Sequence, residues 1–277
     1  MIVYLDGAWL NAVDAAIPID DRGFLFGDGV FETALLRGGR FFRLAQHLAR
    51  LQASAAMLDL ALPARDDLIA LCHELVRRNA ATEGHLRLTV TRGSGAGERL
   101  LATLSPPDPR WLERAHAGWT LITAAIRRPP AASVPPELKG LGRMYALLAR
   151  RESAAAGVDD ALLLDTAGAV AEGPTWNVFW RKGERVRTPS TAAGVLAGVT
   201  RGIVLELAGG AGYTVEEGVW ARAELDSADE LFATMTSVGI VPIRALDGRS
   251  LPSREAAGRL LAPYHAALEA ELARGDA

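Results

Sequence analysis

The chain has 277 residues, of which 49% are hydrophobic and 23% charged, and its formal net charge is −3. Such a chain can bury a large core and form two domains, and its near-neutral charge excludes an electrostatic case for nucleic acid or an anionic membrane as partner. No apolar run is long enough to cross a bilayer, and the five histidines show no metal-ligand spacing, so no metal site is predicted. A single cysteine, Cys72, and an N-terminus typical of a strand and turn rather than a signal peptide favour a cytoplasmic location.

The N-terminal domain is expected to cover residues 1–115 and to mix strands with helices. Alternating apolar residues predict its strands, and apolar residues three and four apart predict its helices. The predicted strands are 2–5, 8–10, 30–36, 40–42 and 86–91, and the predicted helices are 44–58 and 66–78. A glycine-containing loop at 93–97 and a proline-rich loop at 105–109 follow, and the domain junction is expected just after them.

The C-terminal domain is expected to cover residues 116–277 and to be larger and richer in strands. Its predicted strands are 119–126, 161–164, 169–171, 178–180, 185–188, 213–216, 230–233 and 241–245, and its predicted helices are 141–156, 200–207 and 253–273. A proline-rich connector at 129–136 precedes the first of these helices. The predicted fold class is therefore α/β, in the α+β sense, with two domains.

Lys139 stands out because the chain uses almost no lysine. Lys and Arg total 30, and only Lys139 and Lys182 are lysines. Arginine can replace lysine as a surface charge, but its guanidinium stays protonated and cannot form a Schiff base. Lys182 lies in a polar turn and is interpreted as a surface charge. Lys139 is either a solvated charge where a helix starts or the anchor of a cofactor.

Pyridoxal phosphate needs a lysine amine, an acid near its ring nitrogen and a cradle for its phosphate. Glu172 ends a predicted strand and is either that acid or an ordinary turn residue. A glycine-containing loop, 196–201, opens the predicted helix at Thr200. Either its N–H groups form an anion site, or Thr200 is an ordinary N-cap of the helix. The segment 234–237 ends a predicted strand and would add hydroxyls to the same phosphate, and Arg50 is either a phosphate partner or a solvated helix charge.

Taken in chain order, these segments resemble the class IV, or fold-type IV, pyridoxal-phosphate enzymes. This family contains branched-chain aminotransferase, D-amino-acid aminotransferase and aminodeoxychorismate lyase. The matching segments are residues 22–33, 47–51, 139 with the helix-like run after it, 172–179, 196–201 and 228–242. Six ordered matches across most of the chain make the resemblance specific.

The resemblance implies how the cofactor would be held. Lys139 would bind it covalently and then move the proton between the substrate and the cofactor. Glu172 would pair with the pyridine nitrogen. The phosphate would be held by Arg50, by the backbone N–H groups of Val199 and Thr200, and by Thr236. The family fold has a small α/β N-terminal domain and a larger C-terminal domain, and its members are usually homodimers.

The resemblance also implies supporting and substrate-binding residues. His47 and Asn177 match family positions and are interpreted as structural hydrogen-bonding residues. The substrate pocket would be built from Phe31, Thr33, Ser237 and the loop at 93–97. Arg92 and Arg99 flank that loop; one of them, with Arg99 preferred, would bind a substrate carboxylate, or both are solvated loop charges.

The subfamily signals conflict. Thr33 stands where branched-chain enzymes typically have Gly, and Phe31 stands where D-amino-acid aminotransferases typically have Tyr. Gly142 matches the branched-chain pattern, whereas the lyase pattern has Asn there. Thr236 is typical of aminotransferases, since lyases often have Asn at that position.

We interpret the chain as an aminotransferase that transfers an amino group between an amino acid, or a primary amine, and a 2-oxo acid by a ping-pong mechanism through pyridoxamine phosphate. The alternative is aminodeoxychorismate lyase, which would release pyruvate and 4-aminobenzoate. A non-catalytic pyridoxal-phosphate-binding protein is disfavoured because Lys139 and Glu172 are both present. The donor and its chirality are left open.

Overall fold

The computed structural model describes residues 1–95 and 97–274, and at residue 110 it describes the backbone only. The chain forms two compact units. The first contains Met1–Pro107, Leu138–Gly142 and the chain from Leu268 onward, and the second contains Asp108–Glu137 and Arg143–Ala267. The division into folding domains at residues 115 and 116 stays a prediction.

The first unit is built on an antiparallel sheet. Its strands are β1 (Ile2–Leu5), β2 (Ala8–Asn11), β3 (Gly29–Arg37), β4 (Arg40–Phe42), β5 (Glu83–Thr91) and β6 (Arg99–Ser105). Its helices are α1 (Arg22–Phe26), α2 (Leu44–Ala56) and α3 (Arg65–Asn79). The strand order is β2-β1-β6-β5-β3-β4.

One face of this sheet carries the core of the first unit. Val30, Ala34 and Leu36 alternate along β3 and pack with buried residues of α2 and α3, such as Leu48 and Leu68. The intervening residues of β3 therefore point to the opposite face, because successive side chains of a strand alternate. Among the described residues on the core face of β3, Glu32 alone is polar, and its carboxyl group is buried.

The second unit is built on a mixed sheet of order β11-β10-β9-β12-β13-β7-β8, with β14 paired to β13. Its strands are β7 (Trp119–Arg127), β8 (Asp160–Leu164), β9 (Asn177–Lys182), β10 (Arg185–Pro189), β11 (Thr214–Gly218), β12 (Glu230–Met235), β13 (Gly239–Leu246) and β14 (Arg249–Ser250). Its helices are α4 (Pro109–Ala117), α5 (Met144–Ala155), α6 (Val199–Gly210) and α7 (Glu255–Arg274), with short 3₁₀ helices at Thr191–Ala193 and Arg222–Ser227. Residues of α7 from Leu268 belong to the first unit.

Both faces of the second sheet are packed. Trp119, Trp180 and Leu231 belong to a core on one face. Phe179 and Phe232 stack on the other face, with ring centroids 5.2 Å apart and planes 5° apart. Helix α6 packs against β12, and its N-cap Gly198 lies next to Asn177 of β9.

The predicted mixed α/β class is confirmed, and several predicted elements need correction. The helix expected from residue 141 begins only at Met144, because Leu138–Gly142 is extended and pairs with β3. The strand expected at 169–171 is instead a set of isolated bridges. Helix α4 and strand β6 were not predicted. No helix within residues 1–95 and 97–274 combines the length and the hydropathy needed to cross a membrane.

Candidate active site

Lys139 lies beside strand β3 in the first unit. The N–H of Phe31 donates to the Lys139 carbonyl at 3.0 Å, and the N–H of Leu141 donates to the Gly29 carbonyl at 3.0 Å. Gly140 forms an antiparallel bridge with Val30. Since β5 occupies the other edge of β3 at these residues, the lysine segment extends the edge on which β4 lies further along.

A glycine makes this close approach possible. A Cβ atom at Gly29 would lie 2.4 Å from the Val90 carbonyl oxygen and 2.8 Å from Cδ1 of Leu141, which is closer than real Cβ contacts. The Lys139 N–H also donates to the buried hydroxyl of Ser54 on α2, at 3.1 Å. The backbone of Lys139 is therefore fixed from both β3 and α2.

Lys139 shares the outer face of β3 with two predicted substrate residues. It lies opposite Phe31 in the bridge, and its Nζ is 4.8 Å from the Phe31 ring centroid. Thr33 follows on the same face because it is two residues further along the strand. Across from Thr33 on β5, Arg87 holds its guanidinium carbon 4.1 Å from the Phe31 centroid. Arg87 was not among the predicted residues.

On the inner face of β3, the Glu32 carboxylate gathers three donors. Arg50 donates through Nε and Nη2, both at 2.8 Å, in the bidentate geometry of a strong ion pair. His47 Nδ1 lies 3.1 Å from Oε1, and the Thr33 N–H donates to the same oxygen at 2.8 Å. His47 is therefore a hydrogen-bonding partner of Glu32, and Glu32 is a positioning group that sequence reasoning did not assign.

The charges in this cluster follow from its burial. Burial raises the pKa of the Glu32 carboxyl, but Arg50, His47 and Lys139 outweigh burial and hold this pKa well below its usual range. Burial lowers the pKa of His47, although its hydrogen bond to Glu32 acts in the opposite direction. A neutral His47 must then donate through Nδ1, since an ionised carboxylate only accepts. Glu32 thus stays negative and pairs with the permanent cation of Arg50.

The two arginines predicted for a substrate carboxylate both pair with acidic side chains. Arg92 Nε donates to Asp28 Oδ2 at 2.9 Å, and its Nη2 donates to the Leu58 carbonyl. Arg99 Nη1 donates to Asp6 Oδ2 at 2.6 Å. Their role in substrate binding stays a prediction, and Ala96 of the loop between them lies outside the described residues.

In the second unit, the buried Glu172 carboxylate is also held by three donors. Arg128 Nε donates to Oε1 at 2.7 Å, and both side chains are only 5% exposed. The Leu196 N–H donates to Oε2 at 3.0 Å, and Asn177 Nδ2 donates to the same oxygen at 3.2 Å. Asn177 also bonds the Leu196 carbonyl at 2.9 Å, so it ties the glutamate to the segment before α6.

Val199 and Thr200 form the first turn of α6. The N-cap residue is Gly198, which has no side chain to accept a hydrogen bond from the N–H groups of this helix end. A Cβ atom at Gly198 would lie 2.1 Å from Asn177 Oδ1, so glycine is required for the helix to begin next to Asn177. The first N–H groups of any helix have no partner within that helix, and together with the helix dipole they make this position suited to an anion.

Thr236 and Ser237 follow directly after β12 and are half-buried. Thr234, near the end of β12, pairs with Asn177 of β9 in the register of the sheet. Its hydroxyl is buried and has no hydrogen-bond partner within the described part of the chain. A buried hydroxyl next to an uncapped helix end is the kind of donor that an anion would satisfy.

These groups fit the predicted cofactor. The first unit offers one half-buried lysine amine with a fixed backbone. The second unit offers a buried carboxylate, a helix end with glycine at its N-cap and an orphaned hydroxyl. A lysine amine is complementary to an aldehyde, and the groups of the second unit are complementary to a pyridine nitrogen and a phosphate. Within residues 1–95 and 97–274, no group of acidic, histidine and cysteine side chains is arranged to hold a metal ion.

Sequence reasoning missed Glu32, Arg87 and Arg128. Glu32 shares the apolar face of β3 with Val30 and Ala34, and a charge at such a position was an available signal. Arg87 lies on the polar face of β5, where a charge gives no such signal. Arg128 follows an exposed arginine and precedes two prolines, so its sequence context resembles a surface connector. Its burial depends on a partner 44 positions away.

Comparisons with known proteins bear on these observations. A family model described as "Amino-transferase class IV" matches residues 29–246. The chain is 35% identical over 264 residues to the "Putative branched-chain-amino-acid aminotransferase" of Methanocaldococcus jannaschii, covering 92% of this chain and 91% of that protein. It is 31% identical over 262 residues to the D-alanine aminotransferase of Bacillus licheniformis, covering 91% of each.

A solved structure is also similar to this chain in fold. The branched-chain amino acid aminotransferase of T.th., complexed with N-(5'-phosphopyridoxyl)-L-glutamate, superposes with a TM-score of 0.89 and 27% identity, covering 98% of this chain and 95% of that chain. The prediction of pyridoxal phosphate as cofactor is confirmed for the family, and the two sequence relatives are aminotransferases, which does not favour the lyase alternative. The chain belongs to the class IV aminotransferases and is an enzyme of that family.

Proposed function

We propose that this protein transfers an amino group between an amino acid, or a primary amine, and a 2-oxo acid by a ping-pong mechanism. The observation that carries the proposal is the position of Lys139. It is one of only two lysines, its backbone is bonded to β3 and to Ser54, and its amine lies over Phe31. An amine with so fixed a backbone is suited to act on one defined substrate atom.

Pyridoxal phosphate, when bound, supplies an electron sink for the negative charge that develops at the substrate Cα. The Lys139 Nζ would take the proton from this carbon and deliver it to C4′ of the cofactor. The Phe31 ring beside the amine excludes water from one side of it. Removing water strengthens the electrostatic interactions on which proton transfer depends.

The phosphate is proposed to bind the backbone N–H groups of Val199 and Thr200, with Thr236 and Arg50 as further donors. The uncapped end of α6 supports the first pair. For Arg50, the bidentate bond to Glu32 supports a fixed guanidinium orientation. Glu172 is proposed to hold a proton at the ring nitrogen, which its negative charge favours.

The substrate is proposed to bind on the outer face of β3, against Phe31 and Thr33, with Ser237 as a further contact. Arg87 lies on this face over Phe31 and is the arginine we favour for the substrate carboxylate. Arg92 and Arg99, whose guanidinium groups bond Asp28 and Asp6, are the alternatives. A carboxylate on Arg87 would point the substrate along the strand toward Lys139.

A homodimer is also proposed. Helix α1 exposes three consecutive large apolar side chains, Phe24, Leu25 and Phe26, which are 71%, 52% and 69% exposed. Exposed apolar clusters of this kind mark protein contacts, and a second copy of the chain is the commonest partner. A cytoplasmic location stays a prediction from the single cysteine.

The first experiment mixes the protein, loaded with pyridoxal phosphate, with single amino donors and no 2-oxo acid. The donors are D-alanine, D-glutamate, L-leucine, L-glutamate and an (R)-arylalkylamine. A ping-pong aminotransferase should release one 2-oxo acid, or ketone, per bound cofactor and then stop. The responding donor would identify the subfamily.

The opposite outcome is also defined. If no donor yields a stoichiometric 2-oxo acid and aminodeoxychorismate is converted to pyruvate, the transaminase proposal is wrong. The Lys139→Ala protein serves as the control, because a residual burst in it would show that the assay reports non-enzymatic exchange.

A further inference from the structure

Arg128 has no part in the function as proposed so far, yet it is almost fully buried. Its Nε donates to Glu172 Oε1 at 2.7 Å, and its Nη1 donates to the Pro129 carbonyl at 3.3 Å. Its backbone N–H donates to the Leu164 carbonyl at 2.9 Å, which fixes the chain where it leaves β7. Arg128 is therefore in direct contact with Glu172, the carboxylate proposed to bind the ring nitrogen.

The hydrogen bonds around Glu172 leave one acceptor position. An ionised carboxylate offers about two lone-pair directions on each oxygen. Oε2 accepts from both Leu196 N–H and Asn177 Nδ2, so both of its directions are used. Oε1 accepts only from Arg128 within the described part of the chain, so one direction remains on that oxygen.

The three donors around Glu172 also differ in charge. Asn177 and the Leu196 N–H are neutral, so Arg128 alone among them carries a positive charge. A carboxylate at this depth is costly in its ionised form unless a cation compensates it. With Arg128 in place, the charge is compensated before any ligand arrives.

We propose that Arg128 is a positioning residue that holds Glu172 as an ionised carboxylate and leaves the second lone pair of Oε1 for the ring nitrogen of pyridoxal phosphate. The inference rests on the proposed function, because it takes Glu172 as the partner of that nitrogen. Arg128 itself touches no reacting atom. Its effect on the cofactor passes through the Oε1 atom that it bonds.

The test compares two ligands that differ only at the ring nitrogen. Pyridoxal phosphate and its 1-deaza analogue, in which a C–H group replaces the nitrogen, are titrated into the full-length protein stripped of cofactor. The Kd of each is measured by absorbance and fluorescence. Because a hydrogen bond to a charged group contributes about 1.5–3 kcal/mol, the wild type should prefer pyridoxal phosphate by about 10- to 100-fold.

In Arg128→Gln, this preference should fall to about two-fold or less, because Glu172 then lacks the cation that keeps it ionised. Glu172→Gln should lose the preference as well, since it removes the charged partner of the nitrogen itself. Arg128→Lys keeps the positive charge and should recover much of the preference. Arg127→Gln is the matched control. Arg127 is the neighbouring arginine, but it is exposed and bonds only the Ala124 carbonyl among the contacts described, so its loss should leave the preference unchanged.

A purely structural role for Arg128 predicts a different result. Arg128→Gln would then weaken both ligands equally, and an unchanged or increased preference would overturn the inference. If Arg128→Gln does not fold, the Arg128→Met/Glu172→Gln double variant, which removes both charges, replaces it in the comparison with Glu172→Gln. Folding of the double variant where Arg128→Gln fails supports charge compensation, and failure of both overturns it.

The proposed function is tested separately in the wild type. A wild type that binds neither ligand would refute both the function and the inference. A wild type that releases a stoichiometric 2-oxo acid, with a preference for the ring nitrogen that survives in Arg128→Gln, would refute the inference alone.

Discussion

The main-chain carbonyl of Lys139 accepts a hydrogen bond from the N–H of Phe31 at 3.0 Å, so the lysine is attached to a strand of the N-terminal sheet rather than to a helix. Strand pairing holds the backbone more firmly than a helix start would, because both the carbonyl of residue 139 and the N–H of residue 141 are bonded to β3. The lysine side chain can therefore move while its backbone stays in place.

Removing the Lys139 amine should stop transamination. We expect Lys139→Ala to lower kcat by about 1,000-fold or more, since it removes the proposed general acid–base. Lys182→Ala is the matched control, because Lys182 is exposed and its Nζ bonds only the Ser227 hydroxyl at 2.9 Å among the contacts described. Steady-state rates and the amount of cofactor retained after gel filtration would be measured for both. A Lys139→Ala protein with undiminished turnover would refute the role of this residue.

Substituting Glu32 should lower stability in a pH-dependent way. The pKa of Glu32 is held below its ordinary value of 4.5, so its ionised form stabilises the fold above that pH, and this stabilisation is lost as the pH falls toward the lowered pKa. We expect Glu32→Gln to cost about 3 kcal/mol at pH 7, because it leaves the Arg50 charge uncompensated.

The check is urea unfolding of wild type and Glu32→Gln at pH 7 and at several values below 4.5. The difference in unfolding free energy should narrow as the pH falls. The exposed Glu113→Gln should show no difference at any pH. A gap for Glu32→Gln that stays constant into acid would mean that ionisation of Glu32 does not stabilise the fold.

A methyl group at Gly198 should disturb the cofactor site. The added Cβ would meet Asn177 Oδ1 at 2.1 Å, and Asn177 is bonded to Glu172 and to the Leu196 carbonyl. We expect Gly198→Ala to raise the Kd for pyridoxal phosphate by about ten-fold or more, through the loss of one or two hydrogen bonds to a charged group.

Gly202→Ala provides the comparison within the same helix. A Cβ at Gly202 meets no atom of the described chain within 4 Å. Alanine is the better helix former, so this variant should unfold at a slightly higher temperature and keep its cofactor affinity. Equal cofactor affinities of the two variants would show that the contact at Gly198 is irrelevant to binding.

Arg87 and Arg99 can be distinguished by substrate kinetics. We expect Arg87→Leu to lower kcat/KM for amino acid donors by about 10- to 100-fold, the effect of removing a charged hydrogen bond to a carboxylate. A primary amine without a carboxylate should be affected much less, because it has no group for Arg87 to bind. If Arg99→Leu produces this selective loss and Arg87→Leu does not, the original preference for Arg99 is right.

The apolar residues of α1 should control the oligomeric state. Phe24→Asp together with Phe26→Asp would place two charges in the proposed contact between copies, which should shift a dimer toward monomer. Sedimentation velocity would measure the change, and Val219→Asp, at a similarly exposed apolar position outside α1, would serve as the control. A wild type that sediments as a monomer at all concentrations would contradict the proposed homodimer.

Local patterns predicted most of the regular structure but not the contacts between distant segments. Strand β4 was predicted at its observed bounds because the paired glycines and the alternating residues around it act over a few positions. Strand β6 was not predicted, although Leu100, Ala102 and Leu104 alternate as buried residues. The glycine-containing loop before it led us to interpret this stretch as irregular. Helix α4 was missed because its proline was interpreted as part of a loop, although proline is favoured in the first turn.

The residues of the candidate site could likewise be predicted one by one, but not their contacts with distant segments. Lys139 and Glu172 could be singled out because their chemistry is unusual in context and because the family resemblance assigns them roles. The pairing of Glu172 with Arg128, and of Lys139 with β3, could not be predicted from spacing. Both depend on segments that meet only when the sheets have formed.

The attachment of Lys139 to β3 has a consequence for how the protein is made. Strands β3 and β5 are synthesised well before residue 139. The edge of β3 beside Phe31 therefore stays unpaired until the segment 138–142 has been made. Contacts between residues so distant in sequence form late and slowly. The nascent sheet therefore exposes this unpaired edge until residues 138–142 have been synthesised and have paired with β3.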